Sequence, residues 1–326
     1  MKLRKIWFTG FWNSFNKENN MFTQIIKQKF DIELTDNNPD FVICSPLGKP
    51  YDYMRFACPR IMFTGEFLSA DFNAIDYFIG FDRIEFGDRN YRYPLFLYNE
   101  DNGVFKNSEP LSRKQAIEIL TNKKYFCNYI FGHDTAIGKR EEILYKLLEY
   151  KRVECAGKHK NNMPSNERLT IRTKHSFMKQ CKFSISAESV CYPGFTSEKL
   201  GDAFVNRTIP IYYGDPTVGE VFNKNAFVNC HDYQNIQDAV NKVIEIDKSD
   251  EQYIEMLCQC KYNDPNYENK MYQGLKEYIW SILDQDKEVA YRRPRFYRAG
   301  WHETYLAEYN KYLTRLPHRI LKKFGI

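Results

Sequence analysis

Short apolar stretches separated by turn-forming residues constrain the fold of this chain more than any other feature of its sequence. Several of them, such as Phe41–Ser45 and Tyr77–Phe81, are almost wholly apolar, and turn signals such as Asn37–Asp40 stand between them. A strand that is apolar on both faces is typical of a parallel sheet covered by helices on each side. Segments with a helical period, such as Lys139–Tyr150, supply those helices. The sequence therefore predicts an α/β fold.

The alternation of strands and helices occurs in two blocks. The segment Gly87–Ser112, rich in Asp, Asn, Tyr and Pro, interrupts it and is interpreted as loops at a domain crossing. A length of 326 residues is also typical of two domains. We expect an N-terminal domain over residues 1–118, a C-terminal domain over 119–284 and a basic tail over 285–326.

The positive charge of the chain is concentrated in its last residues. Residues 287–326 hold ten Lys or Arg and three Glu, a net charge of +7 in a chain whose total is +5. The remaining 286 residues therefore carry −2, whereas a nucleic-acid-binding body needs a basic face of its own. We expect no nucleic acid partner.

Cysteine usage and hydropathy indicate the compartment. Nine scattered cysteines without a CxxC pair favour a reducing environment over a disulfide framework or a zinc site. No run of about 18 apolar residues exists that could span a membrane. The polar residues that follow Trp12 argue against a signal peptide. We expect a cytoplasmic protein.

The stretch Phe183–Gly214 carries the strongest functional signal. A strand is predicted to end near Ala187, and a helix to begin at Ser197, whose N-terminus favours an anion. Lys199 in the first turn opposes the helix dipole, which suggests an external anion, and Glu198 beside it could accept the hydroxyls of a ribose. A nucleoside diphosphate would use both side chains. An ordinary surface Glu–Lys pair explains the same two residues.

This stretch resembles the donor-binding signature of the α-1,3/4-fucosyltransferases. The signature has an acidic residue, a loop, an aromatic residue, x-[TS]-E-K, a helix and x-I-P-I-Y-x-G, matched here by Glu188, Phe195, Ser197–Lys199 and Thr208–Gly214. The resemblance covers most of the chain and is greatest to the short bacterial members. It implies a GT-B fold, in which two Rossmann-like domains face a cleft, with the acceptor bound by the N-terminal domain and GDP-fucose by the C-terminal one.

The resemblance also implies a general base. Glu66 follows Gly65 just beyond the predicted strand Arg60–Thr64, and it matches a T-G-E motif whose glutamate has that role in the family. Ligands of α/β folds bind at the carboxyl ends of strands, and burial between two domains would raise the carboxyl pKa as a base requires. From the residues alone, an exposed loop glutamate is the preferred interpretation.

The remaining donor residues are implied by the same resemblance. The segment Lys124–Leu147 resembles a strand–loop–helix unit with an arginine at the helix start, here Arg140, which could fork onto phosphate oxygens. Plain solvation of the helix is the alternative. Ser189 stands where bacterial members commonly have Asn, and Phe195 where an aromatic hydroxyl is usual. The implied donor set is Arg140, Glu188, Ser189, Phe195, Glu198 and Lys199.

The resemblance thus implies an inverting α-1,3-fucosyltransferase. It would move fucose from GDP-fucose to a GlcNAc hydroxyl of a Gal-GlcNAc acceptor in a surface polysaccharide or lipopolysaccharide glycan, without a cofactor or a required divalent metal. Trp12 and Phe67 are candidates for stacking on the acceptor sugar. Two alternatives stay open: a GT-B transferase using another GDP-sugar, and a non-catalytic protein that binds a nucleotide or sugar.

The tail has its own pattern. Apolar and aromatic residues recur at helical spacing between Trp301 and Leu316, and residues 319–324 combine three basic with three apolar side chains. This pattern favours an in-plane helix at an anionic membrane surface, at the inner face of the cytoplasmic membrane. The alternative is that the first part of the tail packs back on the N-terminal domain.

Overall fold

The computed structural model describes residues 1–49, 51–98, 110–133, 138–163, 169, 171–293, 301, 303–306 and 308. The chain divides into two compact units, one formed by Met1–Tyr93 with Met271–Ile326 and the other by Pro94–Lys270. Each unit contains one parallel sheet with helices, so the predicted α/β fold is confirmed. The predicted domains over residues 1–118, 119–284 and 285–326 stay a prediction.

The first unit is built on a six-stranded parallel sheet. Its strands are β1 (Lys2–Thr9), β2 (Phe30–Leu34), β3 (Phe41–Cys44), β4 (Arg60–Phe63), β5 (Tyr77–Gly80) and β6 (Asn90–Arg92). Their order is β2-β1-β3-β4-β5-β6. Its helices are α1 (Met21–Lys27), the C-terminal part of α8 (Tyr267–Asp284) and α9 (Lys287–Ala290). All strand pairs are parallel, so the carboxyl ends of these strands lie along one edge.

Burial explains which strands could be predicted. Every residue of β3, β4 and β5 is buried, including Arg60 at the start of the otherwise apolar β4, and each of these strands ends one residue earlier than predicted. The interpretation of Gly87–Ser112 as loops is wrong at Asn90–Arg92, where the structure has the strand β6. Its three residues are half-buried at the end of the sheet, so they carry neither an apolar run nor a clear alternation.

The second unit is built on a five-stranded parallel sheet. Its strands are β7 (Tyr125–Tyr129), β8 (Val153–Cys155), β9 (Cys181–Ala187), β10 (Ile209–Tyr213) and β11 (Val228–Asn229), and its helices are α2 (Arg113–Thr121), α3 (Lys139–Leu148), α4 (Ile171–Met178), α5 (Glu198–Val205), α6 (Ile236–Lys248) and α7 (Asp250–Leu257). The strand order is β11-β10-β9-β7-β8. From β7 the chain goes to one side for β8 and then to the other side for β9. This reversal creates a crevice at the carboxyl ends of β7 and β9, where α/β folds bind ligands.

Local signals set the helix ends. Ser112 caps α2 in a capping box with Gln115. The helix α7 ends at Leu257, with Cys258 as its C-cap and Cys260 beyond it. All nine cysteines are free thiols. Within the described residues, no helix combines the length and the apolar character needed to cross a membrane.

Candidate active site

Glu188 is the centre of a buried polar cluster in the second unit. It follows the last residue of β9, and its own N–H donates to the carbonyl of Tyr213 on the neighbouring strand at 2.7 Å. Its Oε1 accepts from the backbone N–H and the hydroxyl of Ser197, both at 2.8 Å. Its Oε2 accepts from Nζ of Lys199 at 3.1 Å. A buried carboxylate is tolerated here because these donors satisfy it.

Lys199 lies in the first turn of α5 among oxygen acceptors. Its Nζ donates to the Ser197 hydroxyl at 2.8 Å and lies 3.6 Å from the carboxylate of Glu198. Burial opposes the charge, but the carboxylates of Glu188 and Glu198 outweigh it and raise the pKa of Lys199. Glu188 therefore supplies an internal anion, so the position of Lys199 alone does not indicate an external one. The ammonium stays protonated at neutral pH.

The start of α5 confirms the predicted cap. Ser197 has extended backbone angles, and its hydroxyl accepts from the N–H of Lys199. Glu198 is the first helical residue, and 43% of its side chain is exposed. Although burial raises the pKa of Glu198, the neighbouring Lys199 outweighs this and lowers it, so the carboxylate is ionised and can accept hydrogen bonds from hydroxyl groups.

Arg140 approaches the same crevice from α3. The helix begins after Gly138, whose φ of +65° is a left-handed value that glycine adopts without strain. Only 5% of Arg140 is exposed, its Nε donates to the carbonyl of Ala187 at 2.9 Å, and its guanidinium lies 4.3 Å from the centre of the Phe131 ring. Ala187 is the last residue of β9, so this hydrogen bond places the guanidinium at the carboxyl end of that strand. The charge of Arg140 opposes, without cancelling, the rise in the pKa of Lys199.

Two predicted donor residues have contrasting positions. Ser189 is exposed directly after Glu188. Phe195 is only 4% exposed, so its ring packs into the unit instead of presenting a face to solvent. The structure thus brings Arg140, Glu188, Glu198 and Lys199 together, with Ser189 on the surface beside them.

Sequence reasoning missed the turn after β10. Position 214 requires glycine, because a Cβ there would lie 2.5 Å from Cγ of Glu188. The next residue, Asp215, is a buried carboxylate that accepts hydrogen bonds from Gly194 and Thr196 in the loop before α5. His231 contacts the backbone of Gly214 through Nε2 at 3.2 Å. A carboxylate one glycine beyond an apolar strand was the available signal, and the same placement drew attention to Glu66 after Gly65.

The predicted acceptor residues lie in the first unit. The N–H of Glu66 donates to the hydroxyl of Thr64 at 3.0 Å, and the Glu66 side chain is exposed. The burial expected for Glu66 therefore does not come from its own unit. Phe67 is 44% exposed and stacks on Phe81 with ring centres 5.6 Å apart. Trp12 is half-buried against neighbouring phenylalanine rings. All three predicted residues follow the carboxyl ends of strands β1 and β4.

Among the residues that the structure describes, no group of three or more His, Cys, Asp or Glu side chains could hold a metal ion.

Two family models match the chain. The α-(1,3)-fucosyltransferase FucT N-terminal domain matches residues 6–99, and the glycosyltransferase family 10 (fucosyltransferase) C-terminal domain matches residues 120–279. The chain belongs to the family 10 fucosyltransferases. The α-(1,3)-fucosyltransferase FucT of Helicobacter pylori is 27% identical to this family member in an alignment that covers 82% of the chain. The chain spans 63% of the length of that relative.

Solved fucosyltransferases share the fold. An α1,3-fucosyltransferase crystallised with GDP superposes with a TM-score of 0.72 at 23% identity, covering 90% of this chain and 93% of that one. An α1,3-fucosyltransferase with GDP-fucose superposes with a TM-score of 0.69 at 23% identity, covering 88% and 92%. The predicted GT-B fold class is confirmed for this fucosyltransferase family member.

Proposed function

We propose that the chain is an inverting α-1,3-fucosyltransferase, which moves fucose from GDP-fucose to a GlcNAc hydroxyl of a Gal-GlcNAc acceptor in a surface polysaccharide or lipopolysaccharide glycan. The observation that carries this proposal is the cluster of Arg140, Glu198 and Lys199 at the crevice of the second sheet, in a member of the fucosyltransferase family. It supplies two cations, a helix N-terminus and an ionised acceptor at one place.

The donor part of the mechanism follows from charge. Negative charge grows on the diphosphate as the bond to fucose breaks, so the cations of Lys199 and Arg140 bind the transition state better than the ground state. Glu188 keeps the Lys199 ammonium in place through its 3.1 Å contact. Glu198 accepts hydrogen bonds from the ribose hydroxyls. With these groups meeting the charge of the leaving GDP, no cofactor and no added divalent metal is needed.

The acceptor part uses the first unit. Glu66 takes the proton of the acceptor hydroxyl. The hydroxyl oxygen attacks C1 of fucose from the side opposite GDP, which inverts the configuration at C1. The support is its place after β4, at the edge of the sheet where ligands of α/β folds bind. The exposed ring of Phe67 and the half-buried ring of Trp12 offer apolar faces for the acceptor sugar.

Product analysis tests the proposal. The protein is incubated with GDP-fucose and a panel of Gal-GlcNAc disaccharides, and the product is identified by NMR. We expect an α-linked fucose at O3 and no product from the disaccharide that lacks the 3-hydroxyl, which is the matched control. Equal transfer from GDP-mannose would favour the alternative GDP-sugar, and tight GDP binding without turnover would favour a binding protein. Full activity in EDTA is expected, and a loss that manganese restores would contradict the metal-free mechanism.

We also propose that the tail binds an anionic membrane at the inner face of the cytoplasmic membrane. The support is the basic amphipathic sequence from about residue 315 onward, which lies outside the described residues. Among described tail residues, Glu303 forms an ion pair with buried Arg60 of the first unit at 2.6 Å. Deleting residues 315–326 should lower sedimentation with anionic vesicles and leave transfer to a soluble disaccharide nearly unchanged. Equal sedimentation of both proteins at low salt would refute the anchor.

A further inference from the structure

Asp215 is a buried carboxylate that the proposed chemistry does not use. It is 2% exposed and follows Gly214 at the end of β10. Its Oδ1 accepts from the N–H of Gly194 at 2.8 Å, and from the N–H and hydroxyl of Thr217 at 2.8 and 2.7 Å. Its Oδ2 accepts from the hydroxyl of Thr196 at 3.2 Å. These hydrogen bonds join two loops that are twenty residues apart in the sequence.

Tyr212 adds a second connection between the same loops. Its hydroxyl accepts from the N–H of Asp215 at 3.0 Å and lies 3.4 Å from the hydroxyl of Thr196. Burial raises the pKa of Tyr212 well above its ordinary value, so the hydroxyl keeps its proton and can act as a donor as well as an acceptor. The end of β10 therefore holds Thr196 through both a carboxylate and a phenol.

The segment that Asp215 holds leads directly into the candidate donor site. Gly194 has a φ of +88°, a left-handed value, and the segment continues through Thr196 to Ser197. Ser197 caps α5 and donates twice to Glu188, the partner of Lys199. A displacement of residues 194–196 would therefore move the cap, the carboxylate and the ammonium together.

We propose that Asp215 is a positioning residue for the donor: it fixes the loop 194–196 so that Ser197, Glu188 and Lys199 have the geometry needed to receive the diphosphate. The inference rests on the proposed function, because it takes the diphosphate as the ligand of this site. Asp215 is therefore more than a general stabilising residue. All four donors to its carboxylate are neutral groups of two loops, and two of them, from Gly194 and Thr196, belong to the segment that leads into α5.

Two variants of Asp215 test the proposal. In Asp215→Ala all four hydrogen bonds are lost, and we expect about tenfold weaker GDP binding in calorimetry with a similar rise in the KM for GDP-fucose, since a displacement of about 1 Å in a site has effects of that size or larger. The KM for the acceptor should change less than about twofold. Asp215→Asn keeps an oxygen for Gly194 and Thr217 and gains an N–H that can donate to Thr196, so it should restore donor binding to within about threefold.

Asp247→Ala is the matched control. Asp247 is also a buried aspartate of the second unit, with 2% of its side chain exposed, but its partners are Tyr150, Lys151 and Lys182, away from the loop. We expect this variant to lower the melting temperature at least as much as Asp215→Ala and to leave the KM for GDP-fucose unchanged. Equal loss of donor binding in both variants, or none in Asp215→Ala, would overturn the positioning role.

A measurement without ligand separates this inference from the proposed function. Hydrogen exchange of the peptide that contains Gly194–Ser197 should be faster in Asp215→Ala than in wild type and nearly normal in Asp215→Asn and Asp247→Ala. If wild type bound no GDP, the proposed function would fail, whereas this exchange pattern would still support the hold on the loop. Unchanged exchange in Asp215→Ala would overturn it, whether or not GDP binds.

Discussion

The carboxyl edges of the two sheets differ in how they hold their charged groups. At the edge of the second sheet, Glu188 and Arg140 are buried, and their hydrogen-bond partners come from the same unit. At the edge of the first sheet, Glu66 is exposed and stands beside the exposed ring of Phe67. The groups at the edge of the second sheet are held in place before any ligand binds. At the edge of the first sheet, residues of the same unit do not fix the side chain of the proposed base. In the proposed function the donor groups are thus held by contacts within one unit, whereas the contacts of its own unit do not fix the proposed base.

The largest expected effect tests the exposed edge. Glu66→Ala should lower turnover by about 10² to 10⁴, the usual contribution of a general base, and leave GDP binding intact because the proposed nucleotide site lies in the other unit. Turnover at saturating substrates and GDP calorimetry measure the two effects. Glu85→Ala, which removes another exposed glutamate of the same unit, is the control and should be close to wild type. More than half of wild-type turnover in Glu66→Ala would refute the base.

The next prediction separates the structural and chemical roles of the buried edge. Lys199→Ala should lower kcat/KM by about 10² by removing a charge that acts on the leaving GDP. It should also lower the free energy of unfolding by about 3 kcal/mol, because Glu188 is left buried without its cation. Activity assays and urea unfolding measure both losses.

The double variant Lys199→Ala/Glu188→Gln then sharpens the result. A neutral amide no longer needs the ammonium, so most of the stability should return while turnover stays low. If turnover returned together with stability, Lys199 would only support the fold, and the proposed contact with the diphosphate would be wrong.

A smaller effect is expected at the partly exposed member of the same edge. Glu198→Ala should weaken GDP binding by about tenfold, because a charged acceptor for two ribose hydroxyls is lost. Calorimetry with 2′,3′-dideoxy-GDP provides the sharp comparison, since that ligand lacks the hydroxyls and should bind wild type and variant equally. Glu149→Ala, an exposed glutamate of the same unit, should bind both ligands as wild type does. Equal losses for the two ligands would place the ribose elsewhere.

Features set by neighbouring residues in the sequence could be predicted, whereas contacts between distant segments could not. Apolar runs predicted β3 and β5, and the helix start at Ser197 predicted the beginning of α5. The helix α8 was missed although its buried residues Leu275, Ile279, Ile282 and Leu283 have a readable helical period. The connection between Asp215 and Thr196 could not be predicted in the same way, because it joins loops at the ends of two neighbouring strands and leaves no periodic pattern.

The candidate site divides along the same line. Glu198 and Lys199 are adjacent in the sequence, so their joint position on the first turn of α5 was predictable. The burial of Glu188 beneath Lys199 depends on the fold of β9 against β10, and this is why an internal anion was not foreseen. The roles of Glu66, Phe67 and Trp12 stay predictions, because those side chains are surface features whose partner would be the acceptor.

The smallest expected effect concerns the turn that supports the buried edge. His231 stacks on Tyr213 with ring centres 4.7 Å apart, and its Nε2 lies 3.2 Å from the backbone N–H of Gly214. Burial lowers the pKa of His231 from its ordinary 6.5, although a hydrogen bond from the protonated Nε2 to the Gly214 carbonyl, 3.2 Å away, opposes this. The folded protein therefore binds this proton less readily than the unfolded chain. Stability from this residue is fully present above pH 6.5 and is lost as the pH falls from 6.5 towards the lower folded pKa.

Urea unfolding of wild type and His231→Gln at pH 7.5 and 5.5 measures this loss. We expect wild type to lose more stability than the variant between the two pH values, by no more than about 1 kcal/mol. Gln keeps a side-chain amide near Gly214 but does not titrate, so any remaining pH dependence belongs to other groups. A wild type that loses no more than His231→Gln would show that His231 titrates alike in the folded and unfolded chains, and that the Gly214 turn does not depend on its neutral form.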